Sequence, residues 1–123
     1  MTSPSKTEPV PNRGEIWWIR FDPSEGAEIG KTRPAVVVNV PSVGRLRLRI
    51  VVPITDWQPK WITVPWLVYL KKNQRNGLKK DSAADCFQVK SVSLNRFESR
   101  IGRLTEEEVE QISAGVSLCI GAP

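Results

Sequence analysis

The side chains that could do chemistry in this sequence are arginines and lysines rather than histidines or clustered cysteines. Residues 31–103 carry fifteen Lys/Arg against four Asp/Glu, whereas residues 1–30 and 104–123 have net charges of −2 and −4. A basic middle between acidic ends suits a polyanion, because lysine and arginine bind phosphate groups. Charge alone leaves open a solvated basic surface without a partner.

The residue types that are missing narrow the chemistry further. The chain contains no histidine, which excludes imidazole acid–base catalysis and histidine metal ligands. Cys86 and Cys119 lack the C-x-x-C spacing of a zinc or redox site, so we expect two reduced, buried thiols. We therefore predict neither a metal site nor a cofactor.

The length of 123 residues predicts one domain. The first segment, MTSPSKTEPVP, has no apolar stretch typical of a secretory signal and is rich in Pro, Ser and Thr. We therefore predict a disordered tail over residues 1–11 and a single domain over residues 12–123. No apolar run reaches the length of about 18 residues that a transmembrane helix needs, and we expect a cytoplasmic protein.

Composition predicts strands in several short segments. Residues 14–21 and 66–70 are rich in aromatic and β-branched side chains, and residues 35–40 form an apolar run that ends at Pro41. A weaker strand is predicted over residues 82–92.

A further strand is predicted over residues 45–54, where apolar and basic side chains alternate. One face carries the leucines, and the other carries a basic outer stripe made of Arg45, Arg47 and Arg49. Pro53 predicts that this strand ends at a sheet edge or bends there.

Between the strands, residues 22–34 predict a long loop with two Gly and two Pro, a length that is often functional. Asn76 and Gly77 predict a turn. One helix is predicted at the C-terminus, where Thr105 and Glu108 have the spacing of a capping box. Short strands with one terminal helix predict a mainly β fold, a small and strongly bent barrel with helices at its edges.

Three stretches form an ordered set of motifs: RGEIWWIRFDPSEGAEIGKTRPAVVV over residues 13–38, VVPIT over residues 51–55, and KKDSAADCFQVKSVSLNRFESRIGRLTEEEV over residues 79–109. The first joins an Arg-Gly-Glu strand start, an Asp-Pro turn and a Lys-Thr-Arg-Pro motif before a hydrophobic strand. In this order the motifs resemble those of the MazF/PemK (Kid) family of toxin endoribonucleases, from Asn12 to Cys119.

The resemblance implies an SH3-like barrel, the CcdB/Kid/MazF-like fold of plasmid maintenance toxins, with a C-terminal helix and a two-fold dimer. It implies the toxin of a type II toxin–antitoxin module, an mRNA interferase that cuts single-stranded mRNA at short motifs and so inhibits translation and growth. The expected chemistry is metal-independent: the 2′-hydroxyl attacks the adjacent phosphorus and leaves a 2′,3′-cyclic phosphate and a 5′-hydroxyl. The implied partners are RNA and an antitoxin with an acidic flexible segment.

The family's catalytic positions fall on Arg33 and Thr55. A guanidinium presents planar donors to two phosphate oxygens and stays charged, which suits stabilisation of the transition state. The Thr55 hydroxyl suits a hydrogen bond to the scissile phosphate. Glu28 lies at the position of a loop acid that acts in some relatives. The structural alternatives are an Arg33–Glu28 ion pair and a strand-end threonine that caps a turn.

The RNA-binding residues predicted around this centre are Lys31, Thr32, Gln88, Lys90, Trp57 and Trp61. Gln88 either recognises a base edge or bonds the backbone. Trp57, Trp61 and Trp66 follow the Thr55 strand, and exposed aromatic rings stack on unpaired bases. The alternative for each tryptophan is packing in the core or in a dimer interface.

One departure from the family weakens part of this scheme. Plasmid-borne relatives assign proton transfer to an Arg and an Asp just before the matching Gln, and to a loop His. This sequence has Asp85, Phe87 and Ala27 at those positions, so that proton-transfer scheme does not apply. Only the mechanism that depends on Arg33 and Thr55 remains, and the identity of the general base stays open.

Other classes of function also fit an SH3-like toxin. A related toxin type poisons DNA gyrase by contact without cleaving RNA, and a homologue without catalysis would only bind RNA. A ribosome-associated RNA-binding domain is a third possibility. New RNA ends distinguish the enzyme from all of these.

Overall fold

One antiparallel sheet of seven strands makes up most of the computed structural model, which describes residues 9–43 and 46–123. The strands are β1 (Glu15–Arg20), β2 (Thr32–Val37), β3 (Leu48–Asp56), β4 (Leu67–Leu70), β5 (Ser82–Asp85), β6 (Lys90–Ser93) and β7 (Phe97–Arg103). Their order is β4-β5-β3-β2-β1-β7, with β6 paired to β3. Within the described ranges β4 and β7 do not pair, so the sheet is not closed.

The long strand β3 organises this sheet because it changes partner halfway along. Its first part pairs with β6 and its last part, from Ile54 to Asp56, pairs with β5. Pro53 is buried in the interval between the two partners. The prediction that the strand ends at Pro53 is therefore wrong, because β3 continues to Asp56, whereas the alternative of a bend there is not contradicted. The missing N–H is tolerated inside the sheet because no β5 or β6 residue pairs with Pro53.

Apolar side chains cover both faces of the central strands. Val36, Val52 and Ile54 pack on one face, together with Ile112 of the C-terminal helix α1 (Glu106–Ile120). On the other face, a second cluster contains Ile19, Phe21, Ala35, Val37, Val51, Val92, Leu94 and Phe97. Residues at the ends of β2 and β3 lie beyond these clusters and remain available for function.

Helix α1 is confirmed where the sequence predicts it. The Thr105 hydroxyl accepts from the Glu108 N–H at 3.1 Å and the Glu108 carboxylate accepts from the Thr105 N–H at 2.9 Å, which completes the capping box. The helix ends at Gly121, whose φ of 71° is left-handed. No helix of the described ranges is long and apolar enough to cross a membrane.

The two cysteines differ in their surroundings. Cys86 is buried against α1, and burial raises the pKa of its thiol to about 12. Cys119 is only partly buried, so the expectation of two buried thiols holds for Cys86 alone. Both cysteines are free.

Several predicted boundaries need correction. Strand β2 starts at Thr32, so Arg33 and Pro34 lie in a strand rather than in the predicted loop, because β1 pairs with them. The weak strand over residues 82–92 is two strands, β5 and β6, separated by the 3₁₀ turn Cys86–Gln88. Strand β7 was not predicted.

Two predictions fall partly outside the described residues. Residues 1–8 of the predicted tail lie outside the described residues. Pro11, near the end of that tail, is buried, and its carbonyl accepts from the Arg49 Nε at 2.9 Å. Arg45 of the predicted basic stripe also lies outside the described residues. Arg47 bonds the Asn95 side chain at 2.9 Å and Arg49 is only partly exposed, so these two arginines hold neighbouring segments in place.

Candidate active site

Arg33 and Thr55 line one pocket of about 420 Å³ at the end of β2 and β3. The two strands are paired, with Ala35 opposite Pro53. Arg33 and Thr55 lie two residues beyond this last pair, one on each strand, so both lie on the same face as Ala35 and Pro53. The sheet therefore brings together the two residues that the sequence predicts as catalytic.

The Arg33 side chain is half-buried and mostly free to bind. Its Nε donates to the Gly30 carbonyl at 3.2 Å, which fixes the base of the guanidinium. Among residues 9–43 and 46–123, no carboxylate lies within ion-pair distance of this side chain. The structural alternative, an Arg33–Glu28 ion pair, is not observed. The two terminal nitrogens therefore remain as donors for an anion.

The pocket around Arg33 is strongly cationic. Its lining includes four basic side chains and one carboxylate, namely Arg33, Lys79, Lys80, Arg100 and Asp56. Asp56 pairs with Lys80 at 3.7 Å, and both side chains are 73% exposed, so water screens this pair and leaves it free to exchange partners. A site of this charge suits a phosphate group.

Thr32 also lines this pocket, as the sequence predicts for a binding residue. Lys31 precedes it at the end of the loop with a φ of 63°, a left-handed conformation that side chains other than glycine rarely adopt. The Lys31 carbonyl accepts from the Phe21 N–H at 2.7 Å, which holds the loop end against β1. The Lys31 side chain is exposed.

Glu28, Gln88 and Lys90 line a second pocket of about 390 Å³ and not the Arg33 pocket. The Glu28 carboxylate accepts from the Glu25 N–H at 2.8 Å inside the same loop. The structure therefore does not bring Glu28 together with Arg33 and Thr55. Its predicted catalytic role stays a prediction.

Gln88 ties the loop to the sheet. Its Oε1 accepts from the Ile29 N–H at 2.6 Å, and its Nε2 donates to the Asp85 carboxylate at 3.3 Å. Both polar atoms of the amide are thus in use. Of the two roles that the sequence left open, the bond to the backbone is the one observed.

The tryptophans after Thr55 do not all lie together. Trp57 contacts Trp61 and Tyr69 edge to face, whereas Trp66 has no ring partner among the described residues. Trp66 is 40% exposed. Tyr69 of β4 joins this group although the sequence analysis did not single it out.

Sequence reasoning also missed the pocket residues Asp56, Lys79 and Lys80. Asp56 directly follows Thr55, and the two lysines follow the Asn76–Gly77 turn. These neighbouring features, a predicted catalytic residue and a predicted turn, are the sequence signals that could have indicated the three residues. The turn is placed next to β7 by contacts far apart in sequence, so its side chains could not be assigned to the site.

A family model covers most of the chain, including Arg33 and Thr55. A family model described as "PemK-like, MazF-like toxin of type II toxin-antitoxin system" matches residues 12–120. The chain belongs to this family.

Two relatives in the PemK-like, MazF-like family are endoribonucleases. MazF9 of Mycobacterium tuberculosis is 33% identical over 112 residues, covering 86% of this chain and 92% of the relative. The toxin MazF of Escherichia coli K12 is 32% identical over 115 residues, covering 91% and 96%. The predicted family and class of activity are therefore confirmed.

Solved structures of the family share the fold. MazF from Deinococcus radiodurans matches with a TM-score of 0.78 at 20% identity, covering 93% of this chain and 99% of that chain. A MazE–MazF structure from the same organism matches with a TM-score of 0.72 at 21% identity, covering 94% and 100%. The mainly β fold with a C-terminal helix is confirmed, and the open sheet is compatible with the SH3-like barrel.

Proposed function

We propose that this chain is the toxin of a type II toxin–antitoxin pair and cleaves single-stranded mRNA in the Arg33 pocket, in the cytoplasm and as a homodimer. The observation that carries the proposal is the pairing of Arg33, with its two free terminal nitrogens, and Thr55 in one cationic pocket. The enzyme names of its relatives support the reaction class.

The reaction proceeds by transfer of the phosphoryl group to the substrate's own 2′-hydroxyl. A bond forms between O2′ and phosphorus, the bond between phosphorus and the 5′ oxygen breaks, and the 5′ oxygen takes up a proton from water. The products are a 2′,3′-cyclic phosphate and a 5′-hydroxyl. Arg33 donates two hydrogen bonds to the phosphoryl oxygens as their negative charge grows, and Thr55 donates a third. We assign RNA binding to Thr32, which lines the same pocket, and to Lys31, which precedes it at the end of the loop.

We assign acceptance of the 2′-hydroxyl proton to Asp56 rather than to Glu28. Asp56 is the carboxylate that lines the Arg33 pocket, whereas Glu28 lines the other pocket. A general base typically contributes about 10²–10⁴-fold to a rate. Asp56→Asn is therefore expected to slow cleavage by about that factor, while Glu28→Gln is expected to cleave at nearly the wild-type rate.

Cleavage rates of the two variants beside the wild type check this assignment. A wild-type rate for Asp56→Asn together with slowed cleavage by Glu28→Gln would reverse it.

The cognate antitoxin is proposed to cover the same pocket. MazF of Deinococcus radiodurans is found with MazE in a solved structure. The basic lining of the Arg33 pocket suits an acidic flexible segment as well as a phosphate chain. Such a segment would compete directly with RNA.

Cleavage of a long single-stranded RNA in the presence of EDTA tests the proposed function. We expect discrete cuts that leave 5′-hydroxyl ends, because the proposed step uses only side chains and the substrate. Mapping of the ends also identifies the cleavage motif. Intact RNA across several substrates would overturn the proposal and favour a toxin that acts by binding alone.

A further inference from the structure

We propose that Trp57, Trp61 and Tyr69 form a stacking subsite for one unpaired RNA base beside the cleaved bond. We call these three residues the aromatic cluster. The inference rests on the proposed function, since it assigns the base to the same RNA that Arg33 and Thr55 cleave. It goes further by assigning Tyr69, the position of the base relative to the cleaved bond and the manner of its recognition.

The rings of the aromatic cluster are in direct contact. Trp57 meets Tyr69 with ring centroids 4.9 Å apart at an interplanar angle of 65°, and meets Trp61 at 6.3 Å and 84°. These are edge-to-face contacts, the arrangement that aromatic quadrupoles favour. Trp57 therefore lies between two rings and fixes their relative orientation.

Asp81, which directly precedes strand β5, makes hydrogen bonds to two residues of the aromatic cluster. Its carboxylate accepts from the Tyr69 hydroxyl at 2.9 Å and from the Lys72 N–H at 3.0 Å, and its carbonyl accepts from the Trp57 N–H at 3.0 Å. The Lys72 and Tyr69 bonds lower the pKa of Asp81, and the bond to Asp81 raises the pKa of Tyr69. This bond therefore weakens only below the ordinary pKa of Asp81 or above that of Tyr69.

The core does not require the aromatic cluster. Within the described ranges, neither of the two apolar clusters includes Trp57, Trp61 or Tyr69. Tyr69 is 43% exposed on β4, the outermost strand on its side of the sheet. Trp57 and Trp61 are partly buried beside it, and their ring contacts orient the cluster, so this pre-organisation lowers the entropic cost of binding a flat ligand.

The sheet register places the cluster in line with the catalytic pair. Ala83 of β5 lies opposite Thr55 of β3 on one side and opposite Tyr69 of β4 on the other. Thr55, Ala83 and Tyr69 form one cross-strand row on the same face, and Arg33 continues it. Neighbouring strands lie about 4.8 Å apart, so Tyr69 lies about 10 Å from Thr55. That distance suits the base of a nucleotide next to the cleaved bond.

Charge complementarity identifies RNA as the occupant. Lys71 and Lys72 act on Asp81 at the cluster, and Lys79 and Lys80 line the pocket beside it. A surface that combines aromatic rings with surrounding lysines is typical of single-stranded nucleic acid binding, where bases stack and cations follow the phosphates. An acidic protein segment would use the lysines but gain little from the exposed rings.

The manner of recognition follows from the Tyr69 hydroxyl. Because this hydroxyl donates to Asp81, it is not available to donate to a base edge. Stacking strength, rather than a hydrogen bond donated by Tyr69, therefore sets the base preference of the subsite.

Binding to an oligonucleotide that cannot be cleaved tests the proposal. The oligonucleotide carries the mapped cleavage motif with a 2′-deoxy sugar at the cleaved nucleotide. Loss of one stacked base corresponds to about 5- to 150-fold weaker binding. We expect this loss for Trp61→Leu and Tyr69→Leu. Tyr69→Phe keeps the ring and is expected to bind nearly as the wild type does, and Trp66→Leu is the matched control outside the cluster.

A scan with single abasic nucleotides assigns the base. Removing the base at one position next to the cleaved bond should weaken wild-type binding by the same factor. The same removal should not weaken the binding of Trp61→Leu or Tyr69→Leu any further, because these variants have already lost the stacking contact. Equal losses in all variants at that position would overturn the subsite. So would dissociation of a wild-type dimer by Trp61→Leu in light scattering, because it would assign the cluster to a contact between copies of the chain.

The same measurements separate the subsite from the proposed function. If the wild type leaves every RNA intact in the cleavage assay, the proposed function fails and the subsite fails with it. If the wild type cleaves and the cluster variants bind and cleave as it does, the subsite alone fails.

Discussion

Arg33→Ala is expected to reduce RNA cleavage by about 10²–10³-fold, the usual effect of removing one donor from a preorganised oxyanion site. The two terminal nitrogens of Arg33 have no carboxylate partner in the described chain, so their hydrogen bonds are available to the phosphoryl oxygens. Steady-state cleavage of a labelled oligonucleotide measures the effect, which should fall mainly on kcat because the charge develops in the transition state.

Arg33→Lys is the matched variant for this prediction. It keeps the charge but loses the planar pair of donors, so we expect a rate between those of the wild type and Arg33→Ala. Stability should change little in either variant, since within the described residues the Arg33 side chain makes one hydrogen bond, to the Gly30 carbonyl. Cleavage by Arg33→Ala at the wild-type rate would remove Arg33 from the catalytic centre.

Gly102→Ala is expected to destabilise the fold by about 3 kcal/mol, at the upper end for an overpacked site. A Cβ on Gly102 would lie 2.4 Å from the Arg75 carbonyl oxygen and 2.6 Å from the Asn76 backbone. That backbone cannot shift cheaply, because the Arg75 carbonyl accepts from the Arg103 N–H and Asn76 is 1% exposed. Urea unfolding followed by fluorescence measures the loss.

Gly26→Ala is the control for the cost of the new methyl group. Unlike Gly102, Gly26 has a positive φ, of 56°, and a Cβ there would meet nothing within 4 Å. Its expected cost is about 1 kcal/mol, from the backbone conformation alone. A Gly102→Ala protein as stable as the Gly26→Ala protein would show that the turn near Asn76 yields easily.

Local sequence signals predicted the elements whose causes are local. The helix follows from the capping box at Thr105 and Glu108, and β1 and β4 follow from their composition. The start of β2 at Thr32 could not be predicted, since pairing with β1 outweighs the turn-forming tendency of residues 30–34. Strand β7 carries Gly102 and several charged side chains, and only its pairing with β1 makes it a strand.

In the candidate site, too, some residues could be predicted from the sequence and others depend on the fold. Family motifs identified Arg33 and Thr55, and the register between β2 and β3 brings them together. Tyr69 and Asp81 lie far from them in sequence, and their place beside the site depends on the pairing of β5 with both β3 and β4. The separation of Glu28 from Arg33 depends on how the loop folds, which the sequence pattern does not specify.

The position of Tyr69 on an outermost strand bears on how such toxins diversify. Strands β2 and β3, which hold Arg33 and Thr55, have neighbours on both sides, so most substitutions there are costly. Among residues 9–43 and 46–123, strand β4 pairs with β5 alone, and its exposed face tolerates exchange. Duplicated copies of such a gene can therefore acquire new RNA targets through changes around Tyr69 while inheriting the reaction itself unchanged.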